Sequence, residues 1–236
     1  MYYFLPRHQI RLRFDCIRLC FGLFRRSIAF VCLVFYRTPY RVQIQADRAC
    51  ALGQRKKAMD EHITSTGTFT IRNEVPSDDA AAIRSVTEQA FAGKPYADGT
   101  EPLITDRLRS SGRLTISVVA VAENNKVIGH AAASPVIIGD DAVGGDAWYG
   151  IGPVSVLPTY QRQGVGSALM RELLAQLQSL CAAGCVLLGN PHFYSRFGFV
   201  VRPEITYPGP DSKFFQTLAW VEELPKGVAK FDEAFG

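Results

Sequence analysis

A glycine- and arginine-rich stretch, residues 150–167, constrains this chain more than any other part of its sequence. It has the pattern of a short strand, a turn at Pro158, and a loop that runs directly into a long amphipathic helix. The N-terminus of a helix presents unpaired backbone N–H groups and the positive end of the helix dipole, which suits a phosphate. Gly164 and Gly166 lack the Cβ atoms that would keep a phosphate off the backbone, and Arg162 supplies a cationic fork. The stretch therefore predicts a pyrophosphate site.

Two common nucleotide-binding motifs do not fit this loop. A P-loop requires a Gly-Lys-Ser/Thr sequence, and the loop contains no lysine. A Rossmann fingerprint requires a third glycine and a later acid at the end of a strand, and both are missing. The sequence therefore argues against the nucleotides that these two motifs bind.

The first 58 residues differ in composition from the remainder of the chain. They contain twelve Lys or Arg residues and only two acids and so carry +10, whereas residues 59–236 carry −6, and the net charge of +4 is the sum of the two. Those later residues have more acids than bases, and we infer no nucleic-acid partner from the charge. We predict that residues 1–58 are a basic extension outside the fold, with Met59 as the true start. Residues 59–236 then form one domain, with its core at residues 69–222.

An organellar transit peptide is the alternative explanation for the basic extension, because such peptides are also rich in Arg and poor in acids. The longest charge-free apolar run, residues 27–36, is too short to span a bilayer, so we expect no membrane partner. The six cysteines of the chain form neither a C-x-x-C pair nor a zinc-like cluster with histidine. We therefore expect reduced thiols, no metal and a cytoplasmic location.

The hydrophobic pattern predicts a strand, two helices, three strands, a helix, a strand, a helix and further strands. Asn124-Asn125 predicts the turn of a hairpin between the second and third strands. Ser77 or Asp78 is the predicted cap of the first helix, and Gly184 the predicted end of the third. The predicted strands are 69–72, 114–122, 127–138, 148–157, 185–188, 198–201 and 214–221, and the helices begin near 76, 101, 165 and 192. This order predicts an α/β (α+β) sandwich around a mixed, mostly antiparallel sheet with helices on both faces.

The loop and its flanks resemble one family. Gln161-Arg162-Gln163-Gly164-Val165-Gly166 is similar to the acetyl-CoA signature, Gln/Arg-x-x-Gly-x-Gly/Ala, of the GNAT acetyltransferase superfamily. The strand Val154-Ser155-Val156 resembles the strand that precedes this signature, and residues 193–199 resemble the family's Tyr-x-x-x-Gly-Phe ending. The resemblance covers about residues 69–222 and implies a GNAT-like fold. The run Leu-Gly-Asn-Pro-x-x-Tyr-x-x-Phe-Gly-Phe is similar to a small bacterial branch of N-acetyltransferases.

The resemblance implies acetyl-CoA as a co-substrate, no metal, and transfer of the acetyl group to a primary amine. It implies that the backbones of Val154 and Val156, on either side of Ser155, pair with the pantetheine arm as an added strand. Asn190 would contact the cofactor, cap the short helix that begins after it, or do both. The residues implied at the pyrophosphate are Gln161, Arg162, Gln163, Gly164, Val165, Gly166 and Ser167.

Attack of a neutral amine on a thioester requires a donor for the developing oxyanion and a proton for the departing thiolate. A strand N–H near Val154 to Val156 is the predicted oxyanion donor, and Gly150 and Gly152 would let the strand bulge. Tyr194 is the predicted acid for the thiolate. The alternative for Tyr194 is a packed core tyrosine or a residue that only hydrogen-bonds the sulfur.

The general base is open. Glu101, at the start of the second helix, is the first candidate, and a capping or surface glutamate is the alternative interpretation. Glu123 is second, and a water relay is a third option because a neutral amine needs no strong base. His130 and His192 each stand alone in the sequence and are interpreted as structural.

The acceptor cannot be read from the sequence, because the loops at residues 93–100 and 139–145 carry no recognisable specificity pattern. A small-molecule amine and a protein amine both remain open, as does a homodimer. A non-catalytic acyl-CoA sensor and a transferase that uses a longer acyl-CoA are the competing functions.

Overall fold

A mixed β-sheet with helices on both faces organises the protein. The computed structural model describes the backbone of Thr64–Thr66 and residues 69–139 and 147–236, all within one compact unit, Cys50–Gly236. The predicted basic extension and most of the predicted loop at 139–145 lie outside the described residues. None of the described helices has the length and apolar character that crossing a membrane requires.

The described strands and helices alternate along the chain much as the sequence predicts. The strands are β1 (Thr64–Thr66), β2 (Phe69–Asn73), β3 (Ile116–Ala122), β4 (Val127–Ile138), β5 (Trp148–Val156), β6 (Gly184–Leu188), β7 (Ile205–Thr206), β8 (Phe215–Ala219) and β9 (Gly227–Lys230). The helices are α1 (Pro76–Phe91), α2 (Glu101–Ser110), α3 (Val165–Ser179) and α4 (Pro191–Tyr194).

The sheet order is β1-β2-β3-β4-β5-β6-β8, and β9 pairs with β4 and β7. The pairs β5–β6 and β7–β9 are parallel, and the other recorded strand pairs are antiparallel. The prediction of a mixed, mostly antiparallel sheet is confirmed.

Neighbouring residues of β4 show which helix covers which face. A Cβ added at Gly129 would lie 3.0 Å from Cδ1 of Leu169 and 3.1 Å from Cγ1 of Val165, so this side of β4 faces α3. His130 points to the opposite face, as does its cross-strand partner Ser155, whose hydroxyl donates to Thr87 of α1. The predicted helices on both faces are therefore present, with α1 on one side and α3 on the other.

The start of α1 differs from the prediction. The N-cap is Val75, no side chain caps the helix, and the predicted caps Ser77 and Asp78 are wrong. Pro76 takes the first helical position because it has no N–H to leave unpaired, and this moves both candidates into the first turn. The carboxylate of Asp79 accepts the N–H of Val75 at 2.7 Å instead.

The end of α3 also differs from the prediction. The helix stops at Ser179, and Cys181 adopts a left-handed φ of 54° beyond it. Gly184, the predicted stop, is the first residue of β6. A Cβ there would lie 2.6 Å from the carbonyl oxygen of Leu218, so this glycine serves close strand packing rather than helix termination.

The C-terminal part holds the largest errors in strand prediction. The predicted strand at 198–201 is wrong, because only Val200 forms an isolated bridge, to Thr217. The predicted strand at 214–221 is β8, but it is not the last, since β9 comes later and pairs with β4 at Ile137 and Ile138. Short strands such as β7 and β9 contain too few residues to show a period.

Candidate active site

One edge of β5 is open beyond Gly150. Strand β5 pairs with β4 along its length but with β6 only from Trp148 to Gly150. Backbone groups alternate between the two edges of a strand. The N–H of Leu157 donates to the carbonyl of Ile128 on β4 at 2.9 Å, and Ser155, two residues earlier, faces the same way. The backbone groups of the two flanking valines, Val154 and Val156, therefore face the open edge.

A β-bulge lies beside this open edge. The register steps from Ala131 opposite Val154 to Ala133 opposite Ile151, which leaves two residues of β5, Gly152 and Pro153, across from one residue of β4. The predicted bulge is thus confirmed at Gly152.

Gly150 serves a different purpose from the predicted one, because it lies in regular register opposite Ser134. A Cβ at Gly150 would lie 2.5 Å from Cε1 of Phe231, so its absence makes room for that ring. The prediction that Gly150 contributes to the bulge is wrong.

The loop after β5 presents free backbone N–H groups. A short 3₁₀ turn, Pro158–Tyr160, is followed by two left-handed residues, Arg162 at φ 61° and Gly164 at φ 87°. The N–H of Ala168 bonds to the carbonyl of Gly164 at 2.9 Å, and no bond among the described residues uses the N–H groups of 162–167. Successive N–H groups in such a conformation form a concave site for an anion.

Two glutamine side chains stabilise this loop by donating hydrogen bonds to backbone carbonyls. The side-chain amide of Gln161 donates to the carbonyl of Val156 at 3.0 Å, and that of Gln163 donates to the carbonyl of Thr159 at 2.8 Å. The backbone N–H of Gln161 bonds weakly to Pro158, at 3.4 Å, so this residue supports the loop rather than opening its N–H to a ligand.

The side of the loop that carries the free N–H groups is accessible. Arg162 is exposed and forms no ion pair within the described part of the chain. An added Cβ would meet nothing within 4 Å at Gly164, whereas at Gly166 it would lie 3.4 Å from Cζ of Phe193 and 3.6 Å from Cγ2 of Val156. Gly166 therefore joins the anion site to the open edge of β5.

Tyr194 ends the short helix α4, which comes after β6. Its ring packs edge-on against Phe193, with centroids 4.8 Å apart, and against Phe199 at 6.0 Å. Burial raises the pKa of Tyr194 to about 12, and the nearby phenol of Tyr96 adds a smaller contribution in the same direction. The hydroxyl therefore keeps its proton at neutral pH and can act as a donor. A Cβ at Gly189 would overlap this ring, which explains the glycine there.

Asn190 caps α4. Its Oδ1 accepts the N–H of His192 at 3.0 Å, as the capping alternative in the sequence analysis requires. The side-chain amide is not used by this cap, so Asn190 retains a donor for a second contact.

Glu101 lies at the start of α2, where it closes the preceding loop. One carboxylate oxygen accepts the N–H of Asp98 at 3.0 Å, and the other accepts the N–H of Gly99 at 3.1 Å. This geometry matches the capping interpretation of Glu101. A role for it in proton transfer stays a prediction.

Comparison with known proteins gives the family. A family model described as an acetyltransferase (GNAT) domain matches residues 115–201. The Escherichia coli K12 protein named Uncharacterized N-acetyltransferase YhbS is 36% identical over 149 residues, which cover 61% of this chain and 83% of the relative. The chain belongs to the GNAT family of acetyltransferases. This GNAT protein is therefore an acyltransferase.

Two solved structures resemble this GNAT protein over most of its described fold. A GNAT family acetyltransferase from Brucella melitensis, crystallised with acetyl-CoA, is 44% identical with a TM-score of 0.62, covering 72% of this chain and 100% of that one. Escherichia coli YhbS, crystallised with CoA, is 29% identical with a TM-score of 0.64, covering 74% of this chain and 96% of that one.

This GNAT protein also contains a buried polar network that was not predicted from the sequence. Glu74 forms a two-bond ion pair with Arg109, and the hydroxyl of Ser117 donates to the same carboxylate. Ser117 also contacts Nε2 of His130 at 2.9 Å. The predicted β3–β4 hairpin could have revealed it, since its register brings Ser117 and His130 close together.

His130 is therefore not isolated, contrary to the interpretation of it from the sequence as a lone histidine. Its side chain is 0% exposed, and burial lowers its pKa to about 4. In the described parts of this GNAT protein, no group of three or more His, Cys, Asp or Glu side chains could hold a metal ion.

Proposed function

We propose that this GNAT protein transfers an acetyl group from acetyl-CoA to a primary amine, on a small molecule or a protein, by direct attack. The proposal rests on one observation: the open edge of β5 at Val154–Val156 lies directly beside the free N–H groups of residues 162–167. An extended pantetheine arm requires the first feature and a pyrophosphate the second. The acetyl-CoA and CoA in the two similar structures support the same co-substrate.

In this proposal the pantetheine arm pairs with the backbones of Val154 and Val156, while Ser155 ties the strand to α1 through Thr87. The pyrophosphate accepts the N–H groups of residues 162–167, including those of Gln163, Val165 and Ser167, and the guanidinium of Arg162 adds a charged contact. The free amide of Asn190 reaches the cofactor from the α4 side.

The proposed chemistry uses the same strand edge and Tyr194. The amine nitrogen attacks the thioester carbon, and a backbone N–H at the open edge of β5 stabilises the oxyanion that forms. The C–S bond then breaks with its electron pair on sulfur, and Tyr194 donates its proton to the thiolate. The phenol of Tyr194 carries its proton at neutral pH, and the tyrosinate left by this step regains a proton from solvent after the thiol departs.

Release of free thiol from acetyl-CoA, measured with a panel of primary amines, tests the proposed function. We expect thiol release that depends on at least one amine, and stabilisation of the protein against heat by acetyl-CoA alone. Stabilisation without thiol release on any amine would favour the non-catalytic sensor. Faster release from a longer acyl-CoA than from acetyl-CoA would change the donor but not the reaction class.

The variant Glu101→Gln tests the predicted base. Because both carboxylate oxygens already accept backbone N–H groups, we expect the variant to loosen the loop before α2 and raise KM for the amine. The amide loses one of these two acceptors, a change typically worth about 0.5–1.5 kcal/mol. Steady-state kinetics separates the two roles, since a fall in kcat of roughly 10²-fold or more at unchanged KM would support Glu101 as the base.

A further inference from the structure

The side chains of Glu74, Ser117 and His130 form a hydrogen-bonded series in which each bond has one possible donor. The series runs from the carboxylate of Glu74, through the hydroxyl of Ser117, to Nε2 of His130. Glu74 is 6% exposed at its side chain and is held by Arg109 with bonds of 2.8 and 3.0 Å. A carboxylate paired in this way only accepts hydrogen bonds.

Because the carboxylate of Glu74 can only accept, it determines which atom donates in each hydrogen bond of the series. Ser117 has one hydroxyl proton, and Glu74 takes it, so the oxygen of Ser117 can only accept from His130. His130 must then carry its proton on Nε2. The other ring nitrogen, Nδ1, is left with a lone pair and has no partner among the described residues. A fully buried acceptor without a partner is uncommon and calls for a function or a bound water.

The location of His130 relates this lone pair to the reaction. His130 lies directly opposite Ser155, between the two residues whose backbones face the open edge of β5. The side chains of Val156 and Phe193 both approach Gly166 at the start of α3, and His130 lies on the opposite, α1 side of the sheet. A thioester bound at the open edge of β5 would therefore have Gly166 and Phe193 on its α3 side and His130 on its α1 side.

We propose that Glu74, Ser117 and His130 form a proton relay for acetyl transfer, in which Nδ1 of His130 takes the proton of the attacking amine through a buried water. The inference rests on the proposed function. As the C–N bond forms, the nitrogen becomes positively charged and gives one proton to the water, which passes one of its own to Nδ1. Ser117 and Glu74 fix the tautomer and stabilise the resulting imidazolium, and the proton returns to solvent after the product leaves.

The groups around His130 suit a transient proton acceptor. Burial lowers its pKa to about 4, with Arg109 acting in the same direction, while Glu74 and Asp79 oppose the shift. Ser155 of β5 and Thr87 of α1 face the same layer without charge. Nδ1 therefore stays unprotonated at neutral pH. The nitrogen of the tetrahedral adduct is more acidic than the free ammonium, because its carbon carries oxygen and sulfur, so a weak base suffices.

Two variants interrupt the relay at different points. His130→Gln keeps an N–H donor for Ser117 but removes the lone pair of Nδ1, and Ser117→Ala keeps the imidazole but disconnects it from Glu74. Ser134→Ala is the matched control, because Ser134 is buried on the same face of β4 and its hydroxyl has no recorded partner within the described chain. Saturating-amine kcat from about pH 3.5 to pH 9, which includes the pKa of His130 near 4, acetyl-CoA affinity and Tm are measured for all three and for the wild type.

We expect kcat to fall by roughly 10²-fold or more in His130→Gln and by about tenfold in Ser117→Ala, with acetyl-CoA affinity retained and Ser134→Ala like the wild type. The acid limb of the wild-type kcat profile should disappear in His130→Gln. Folded variants with wild-type kcat and an unchanged pH profile overturn the relay alone. Absence of thiol release by the wild type on every amine overturns the proposed function, and the relay with it.

Discussion

Replacement of Tyr194 by phenylalanine is expected to lower kcat by roughly 10²- to 10⁴-fold and to leave acetyl-CoA affinity nearly unchanged. The ring contacts with Phe193 and Phe199 depend on the aromatic face and edge, so they persist in the variant. Only the hydroxyl proton is lost, and in the proposed reaction that proton neutralises the departing thiolate. Stopped-flow thiol detection and a direct binding titration measure the two quantities separately.

Tyr96→Phe is the control for this experiment. Tyr96 is close enough to add to the raised pKa of Tyr194, yet it is 74% exposed and lies on the loop between α1 and α2. Loss of its hydroxyl should lower the pKa of Tyr194 slightly and leave turnover near the wild-type level. If Tyr194→Phe retained wild-type turnover, Tyr194 would have no role as the acid, and its ring would be a packing element only.

Features that depend on local sequence could be predicted closely. Strand β4 has the predicted bounds, because the Asn124-Asn125 turn precedes it and the glycine-rich polar loop that starts at Gly139 follows it. The anion loop was predictable for the same reason, since Gly164 has the left-handed φ that glycine permits. The open edge of β5 is different, and its prediction came from the family resemblance rather than from any local pattern.

Features that depend on contacts distant in sequence could not be predicted. Gly150 resembles a bulge glycine in the sequence, but its space is filled by Phe231, about eighty residues later. The ion pair between Glu74 and Arg109 joins the end of β2 to α2, and neither residue has a distinctive neighbourhood in the sequence. The role of a polar side chain is set by its tertiary partners, which sequence periodicity does not report.

Acid is expected to destabilise the protein through His130 in a defined pH window. The folded pKa of about 4 lies below the ordinary value of 6.5, so between these values the unfolded chain binds the proton and the folded chain does not. Stability is therefore complete above about pH 6.5 and declines as the pH falls toward 4. The loss is on the order of 3 kcal/mol, at about 1.4 kcal/mol per pKa unit. Urea unfolding at a series of pH values measures it.

The variant His130→Gln should flatten this part of the stability curve, because glutamine does not titrate. His192→Gln is the control, since His192 is exposed and its side chain remains in water in both states. The pKa of the Asp79 carboxylate is lowered, although burial opposes the shift. Its contribution to the free energy of unfolding is therefore lost only below its ordinary pKa of 3.8, which lies outside the pH window assigned to His130. Parallel pH curves for wild type and His130→Gln would mean that His130 does not enter the fold as a neutral, buried imidazole.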